Sequence, residues 1–259
     1  FLMPVAGILI VWLYRAAHEE KNRGTNMILE SISAGEEITI ATGPLIFVST
    51  ILSHLVSASA GREGAALQIG GSMGTLVARI VRLDEKDKKI AVMCGMSACF
   101  AALFGTPLAA GVFSLEVVNI GVLYYAALVP CLFASFTGAA ISSHFGLVPE
   151  HYGIGTFMEF SLSGAALAVL MGCLCAVVGI LFCSSLHKAG HAYRKYLPNP
   201  YLRVLAGSAI YILLTLVFKD RSYNGGGLPL IEQCFEGHPV PFYAFLVKIL
   251  FTAVALEAG

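Results

Sequence analysis

From Phe160 to Leu186 the chain carries no acidic or basic side chain. As a helix this stretch would run about 40 Å, more than the roughly 30 Å of hydrocarbon in a bilayer. A segment in hydrocarbon has to satisfy its backbone hydrogen bonds internally, so the stretch predicts one long, tilted, membrane-spanning helix. The rest of the 259 residues agrees. Hydrophobic residues make up 57% and charged residues 12%, with a mean hydropathy of +0.79, whereas a soluble domain carries roughly 25% charged residues. The expected class is an all-α, polytopic integral membrane protein. A formal net charge of zero gives no bulk basic surface and argues against nucleic acid as a partner.

Apolar segments recur along the chain at Phe1–Ala17, Leu45–Val56, Ile90–Phe104, Leu108–Val118, Val122–Ile141, Tyr201–Phe218 and Tyr243–Leu256. Pro44 is expected to begin the second of these. Gly105-Thr106-Pro107 should break the third from the fourth, and Pro130 should kink the fifth. Arg82–Lys89 and Lys188–Pro200 read as charged loops. Two stretches, Gly24–Gly35 and Gly226–Gly237, are too short to span the membrane as helices. The regions near residues 15–23, 79–89 and 188–195 are basic on balance, whereas Val148–Glu159 holds Glu150 and Glu159 and no Lys or Arg. The positive-inside rule then places the first three in the cytoplasm and the last outside. Phe1-Leu2-Met3-Pro4 starts inside an apolar segment, and Leu256-Glu257-Ala258-Gly259 stops at the start of a motif. Both ends are therefore expected to be cuts in a longer protein.

Against this apolar background, Gly61-Arg62-Glu63-Gly64 stands out. Charges at membrane depth are costly, rare and usually functional. The run from Ala65 to Met73 reads as helical, which puts Glu63 and Gly64 at a helix start, where free N–H groups and the positive dipole end favour an anion. The alternative is a buried turn in which Arg62 and Glu63 simply pair.

Other residue sets point to less. The cysteines (Cys94, Cys99, Cys131, Cys173, Cys175, Cys183 and Cys234) lie mostly in apolar runs and read as small buried hydrophobes. His187 and His191 have metal-like spacing but no glutamate between them, and they border a basic stretch, so an interfacial role is expected. Glu19-Glu20 and Glu36-Glu37 read as solvated pairs. With no P-loop, Ser/His/Asp set or zinc spacing, neither an enzyme nor a cofactor or metal is expected.

Gly24–Gly35 resembles Gly226–Gly237, with Glu30 matched by Glu232 and Gly35 by Gly237. One apolar segment follows each copy, leading in the first to Gly61-Arg62-Glu63-Gly64 and in the second to the chain end. The first copy starts near an inside loop and the second near an outside loop. That pattern marks an inverted-topology repeat, whose broken helices meet near the midplane at an ion site.

Together with Gly95-Met-Ser-Ala-Cys-Phe-Ala-Ala-Leu-Phe-Gly-Thr-Pro-Leu-Ala-Ala-Gly-Val-Phe-Ser-Leu-Glu116, these features resemble the CLC family of chloride channels and anion/proton antiporters over most of the chain. The resemblance implies a homodimer with one pore per subunit, each subunit built from two inverted halves of tilted and broken helices. Residues 1–200 would be the first half, lacking its start, and residues 201–259 the opening of the second. Leu108–Val118 and Val122–Ile141 fall where the family places part of its dimer contact.

The resemblance also assigns roles. Glu63 would be the gating carboxylate, which occupies an anion site, leaves it on protonation and carries the proton in exchangers. Gly61, Arg62 and Gly64 flank it. The first anion-site motif of the family, usually Gly-Ser-Gly-Ile-Pro, reads here Gly24-Thr25-Asn26-Met27-Ile28. The Gly-x-Asn-Met pattern resembles the fluoride-exporting branch. Glu116 is followed by Val117 where chloride/proton exchangers carry a second, proton-relaying glutamate. Glu257, at a supposed helix start, resembles a pore carboxylate of the fluoride branch, and Thr252 is a further polar candidate nearby. The expected function is fluoride/proton antiport in a bacterial plasma membrane, with fluoride, protons and lipid as partners. A chloride channel or chloride/proton exchanger of the same family stays open as the alternative. The charged motif argues against a purely structural membrane component.

Overall fold

The structure is a computed structural model that describes residues 2–19, 24–33, 38–118, 124–149 and 161–258. Glu20, Gly35, Glu36-Glu37, Glu150, Glu159 and Gly259 lie outside the described residues, as does the side chain of Asn26. Among the described residues the architecture is all helical. The elements are α1 (Met3–Ala16), α2 (Thr25–Ser33), α3 (Thr42–Leu55), α4 (Glu63–Val81), α5 (Glu85–Phe104), α6 (Pro107–Glu116), α7 (Leu128–His144), α8 (Leu162–Tyr196), α9 (Pro200–Phe218), α10 (Leu228–Phe235) and α11 (Ala244–Ala258). Short 3-10 turns at Tyr125–Ala127 and Arg221–Tyr223 precede α7 and α10.

Among the described residues, three stretches are long and apolar enough to cross a membrane: Tyr125–His144, Leu162–Tyr196 and Pro200–Phe218. Almost every side chain of α8 from Leu162 to Ile180 is exposed, as suits a helix bathed in hydrocarbon. The short elements expected on either side of the repeat are present as α2 and α10, each followed by one apolar helix, α3 and α11.

Four local expectations are corrected. The charged stretch after α4 is a loop only as far as Asp84. There the carboxylate accepts the Asp87 N–H (2.8 Å) and caps α5. Glu85 and Asp87 favour the positive end of the helix dipole, so the helix starts among the charges. Pro130 does not kink a helix, because it sits in the first turn of α7, where no N–H is needed. Continuous backbone bonding carries α8 through the basic stretch to Tyr196, where Arg194 and Lys195 suit the dipole. Of the cysteines only Cys131 is buried, and Cys173, Cys175, Cys183 and Cys234 are exposed. A thiol on a lipid-facing surface needs no burial in protein.

By its contacts the chain forms two units that alternate along the sequence. One comprises Leu13–Leu52 and Gly61–His151. Its helices pack backbone against backbone. A Cβ on Gly70 of α4 would strike the Gly95 carbonyl of α5, one on Gly74 would strike Ala91, and one on Gly95 would strike Gly70. A Cβ on Gly138 of α7 would likewise strike the Ala98 carbonyl of α5. Lipid offers little hydrophobic drive for helices to associate, so close van der Waals packing through small residues does that work. Ser97 adds a hydrogen bond across α5 and α7, donating to the Cys131 carbonyl at 3.0 Å. Around these contacts lies an apolar cluster that includes Ile28, Ile32, Leu67, Met93, Met96 and Leu115.

The other unit comprises Phe1–Trp12, Ser53–Ala60 and Tyr152–Gly259. Here α11 packs on α8 and α9, with Gly207 of α9 fitted to Ala258 and Gly7 of α1 fitted to Val204. Tyr211, Tyr223, Val247 and Phe251 form its core, and the Tyr211 and Phe251 rings meet edge on at 5.2 Å.

The backbone contacts set a test. Gly95→Ala should destabilise the full-length protein by about 1–3 kcal/mol, because neither backbone can yield to the added methyl. Gly172→Ala, at a position with nothing within 4 Å, should leave the melting temperature in detergent unchanged or raise it slightly. Equal melting temperatures for the two variants would contradict the packing described.

Candidate anion site

The first turn of α4 begins at Glu63, with Arg62 as its N-cap. Arg62 makes no side-chain cap to that turn, and the first α-helical bond runs from the Ala66 N–H to the Arg62 carbonyl (2.9 Å). The N–H groups of Glu63, Gly64 and Ala65 therefore belong to the set that a helix leaves without partners inside itself. The Glu63 side chain is exposed and folds back so that its carboxylate occupies the space a Cβ on Gly61 would take. Glycine at 61 is thus the residue that admits the carboxylate.

The start of α2 comes to the same place. Thr25 is its first residue, and the Thr25 hydroxyl oxygen lies 3.0 Å from where a Cβ on Gly64 would stand. Gly24, at φ +64°, makes the left-handed turn that begins this helix, and its carbonyl accepts the Met27 N–H at 3.1 Å. Two helix N-termini and a hydroxyl therefore converge beside an exposed carboxylate. Each terminus carries roughly half a positive charge and stabilises an anion by about 0.3–1 kcal/mol, up to about 2 when partly buried. The arrangement can hold a small anion, or a carboxylate in its place.

The other residues singled out by the sequence divide. Met27 packs against the apolar cluster, and Ile28 is fully buried with its methyl close over Gly71. Isoleucine at this position thus fills the gap between α2 and α4. Val117 follows α6 as its C-cap, donating its N–H to the Phe113 carbonyl (2.9 Å), and packs on the same cluster, while Glu116 is exposed.

Glu257 stands in the last turn of α11, not at a helix start, because no breaker interrupts that helix before Ala258. Its carboxylate lies against Gly190 of α8, where a Cβ would also be 3.0 Å from the Arg194 guanidinium. Arg203 donates to the Ala258 carbonyl at 3.2 Å, which offsets the unfavourable placement of an acid at a helix C-terminus. His187 is paired through Nδ1 with the Cys183 carbonyl at 2.8 Å.

One residue was missed. Lys248 is the single charge between Tyr243 and Leu256, and the rule that selects Arg62 and Glu63 also selects it. Its ammonium donates to Ser59 Oγ (2.7 Å), the Tyr223 carbonyl (2.9 Å) and the Gly225 carbonyl (2.6 Å). Thr252, expected to act near Glu257, belongs to this cluster. It lies 2.9 Å from Ser59 Oγ and donates to the Lys248 carbonyl, also at 2.9 Å.

Comparison with known proteins gives a consistent picture. The family model described as voltage gated chloride channel matches residues 6–259. The chloride/fluoride channel protein of Pseudomonas syringae pv. tomato is 34% identical over 266 residues, covering 100% of this chain and 59% of that protein. The H(+)/Cl(−) exchange transporter ClcA of Vibrio cholerae is 29% identical over 185 residues, covering 68% of this chain and 39% of that protein. A crystal structure of a CLC-type fluoride/proton antiporter superposes with a TM-score of 0.93 at 31% identity, covering 99% of this chain and 65% of that one. The chain thus spans less than two thirds of the length of these proteins.

The fold-back of Glu63 can be tested directly. A density map of the full-length Gly61→Ala variant should show the Glu63 carboxylate rotated away from residue 61, with α4 otherwise in place. A carboxylate still resting over residue 61 would remove glycine from its assigned role.

Proposed function

The chain belongs to the voltage gated chloride channel family, and on that premise we propose that the whole protein is a fluoride/proton antiporter that exports fluoride across a bacterial plasma membrane as a homodimer. Residues 1–200 form most of its first inverted half and residues 201–259 open the second. The observation that carries the reading is the meeting of the Thr25 hydroxyl with the start of α4 at Gly64, beside an exposed Glu63 carboxylate that has room to fold over Gly61.

The ionised Glu63 carboxylate and the anion compete for one set of positive groups, the first-turn N–H groups of α4 and α2. The sequence pattern assigns Gly24, Thr25, Asn26, Met27, Gly61, Arg62 and Gly64 to this place. Protonation removes the negative charge of Glu63 and hence its claim on those N–H groups. The carboxyl then moves off and the anion takes its place. Loss of the proton on the other side reverses the exchange, so each anion step is tied to a proton step. Fluoride is small and strongly hydrated, so a site for it has to replace water with close donors. The Thr25 hydroxyl and two helix starts are of that kind.

The Gly24-Thr25-Asn26-Met27 pattern supports fluoride, as do the relatives whose names include it. Val117, packed into the apolar cluster, provides no carboxylate where chloride/proton exchangers carry their relay, which leaves Glu63 as the main proton carrier. The assignment of Glu257 as a second carboxylate on the path rests on the sequence pattern. The same Val117 is the observation that favours the second reading, a passive chloride channel.

Full-length protein in liposomes separates the two. An imposed fluoride gradient should drive protons in the opposite direction, with chloride moving far more slowly. Glu63→Gln should cut proton movement by about a hundredfold or more, the size expected when a proton-transferring group is lost. Equal passage of fluoride and chloride without proton movement would instead establish the channel reading.

A further inference from the structure

The segment that leads into Gly61-Arg62-Glu63-Gly64 receives hydrogen bonds from an ammonium group, a phenol and a backbone N–H. Ser59 is almost completely buried. It accepts a hydrogen bond from Lys248 and lies within hydrogen-bond distance of Thr252, whose own proton goes to the Lys248 carbonyl. Two residues earlier, the Ser57 carbonyl accepts from both the Tyr211 hydroxyl (2.8 Å) and the Gly225 N–H (2.9 Å). The same Lys248 ammonium binds the Tyr223 and Gly225 carbonyls, in the glycine-rich turn that starts α10. Gly225 and Gly227 have φ of +66° and +90°, and a Cβ on Gly227 would stand 3.0 Å from Lys248 Cε. This turn is therefore shaped to pass the lysine stem.

We propose that Lys248 is a positioning residue for the gating glutamate. Its three protons join the segment Ser57–Ala60, one peptide bond before Gly61, to the start of α10, the short helix of the second repeat. The chemistry requires this residue type. All three acceptors are neutral oxygens from two separate stretches of chain, and an ammonium on a flexible stem has three donors to share among them. A charged head within an apolar helix is disfavoured unless its hydrogen bonds are complete, and here they are. The clamp thereby holds the backbone of Ser57–Ala60, which runs by one peptide bond into Gly61 and so into the first turn of α4. This inference rests on the reading of Glu63 as the proton-carrying gate.

Two measurements on the full-length protein test it. In Lys248→Met, amide hydrogen exchange across residues 57–64 should accelerate by about ten- to a hundredfold, as expected for losing hydrogen bonds to a charged donor. In liposomes the same variant should move fluoride with fewer protons per ion, and Lys248→Arg, which keeps the charge and donors, should restore most of the coupling. Should Lys248→Met not fold, Ser59→Ala decides, with the same changes on a smaller scale. Unchanged exchange at residues 57–64, or an unchanged coupling ratio in a variant that still transports, overturns the proposal. If the unmodified protein moves fluoride without protons, the antiport reading fails, and the exchange measurement alone decides whether the clamp exists.

Discussion

Hydrocarbon offers no hydrogen-bond partners, so every backbone amide within it has to find one in the protein or in what the protein binds. Most of this chain meets that demand by being helical. The first turns of α2 and α4 meet it differently. Their leading N–H groups lack partners inside the helix, and the groups brought beside them are a threonine hydroxyl and a glutamate carboxylate. The proposed anion site uses this unmet backbone requirement.

The remainder of that unit brings these ends together. Backbone contact between α4 and α5, through Gly70, Gly74 and Gly95, sets the position of α4 with little freedom, since carbonyls and Cα atoms cannot rearrange as side chains do. Ile28 seated over Gly71 does the same for α2. Side-chain size is minimal where helices touch and larger in the apolar cluster beside them. The helix start that carries Glu63 is thereby held by backbone contacts of its own helix.

Much of this was legible in the sequence. Apolar run lengths located the helices, the glycine–threonine–proline break separated α5 from α6, and the two short repeats appeared as α2 and α10. Charge in an apolar context identified Glu63. Errors arose where local rules compete. Asp84 capped a helix that the charge density alone argued against, Pro130 fell in a first turn, and α8 ran on through its basic end. Lys248 was passed over because a lone lysine in an apolar run was treated as part of the run, although the cost of charge at membrane depth applied to it as it did to Arg62 and Glu63.

The sequence by itself determined the class of protein and the order of its helices and singled out Glu63 for the proposed site, because hydropathy, breakers and membrane charge are properties of short stretches. The family match followed from the same stretches. Only the tertiary structure decided that Thr25 lies over Gly64, that the Glu63 carboxylate uses the space above Gly61, and that Lys248 reaches Ser59 across 189 residues of sequence. The first and the last are contacts between segments far apart in the chain, and no local propensity encodes a distance between them. They exist because helices that meet through glycine have few ways to pack, and the polar groups left at their ends have to be satisfied wherever that packing puts them.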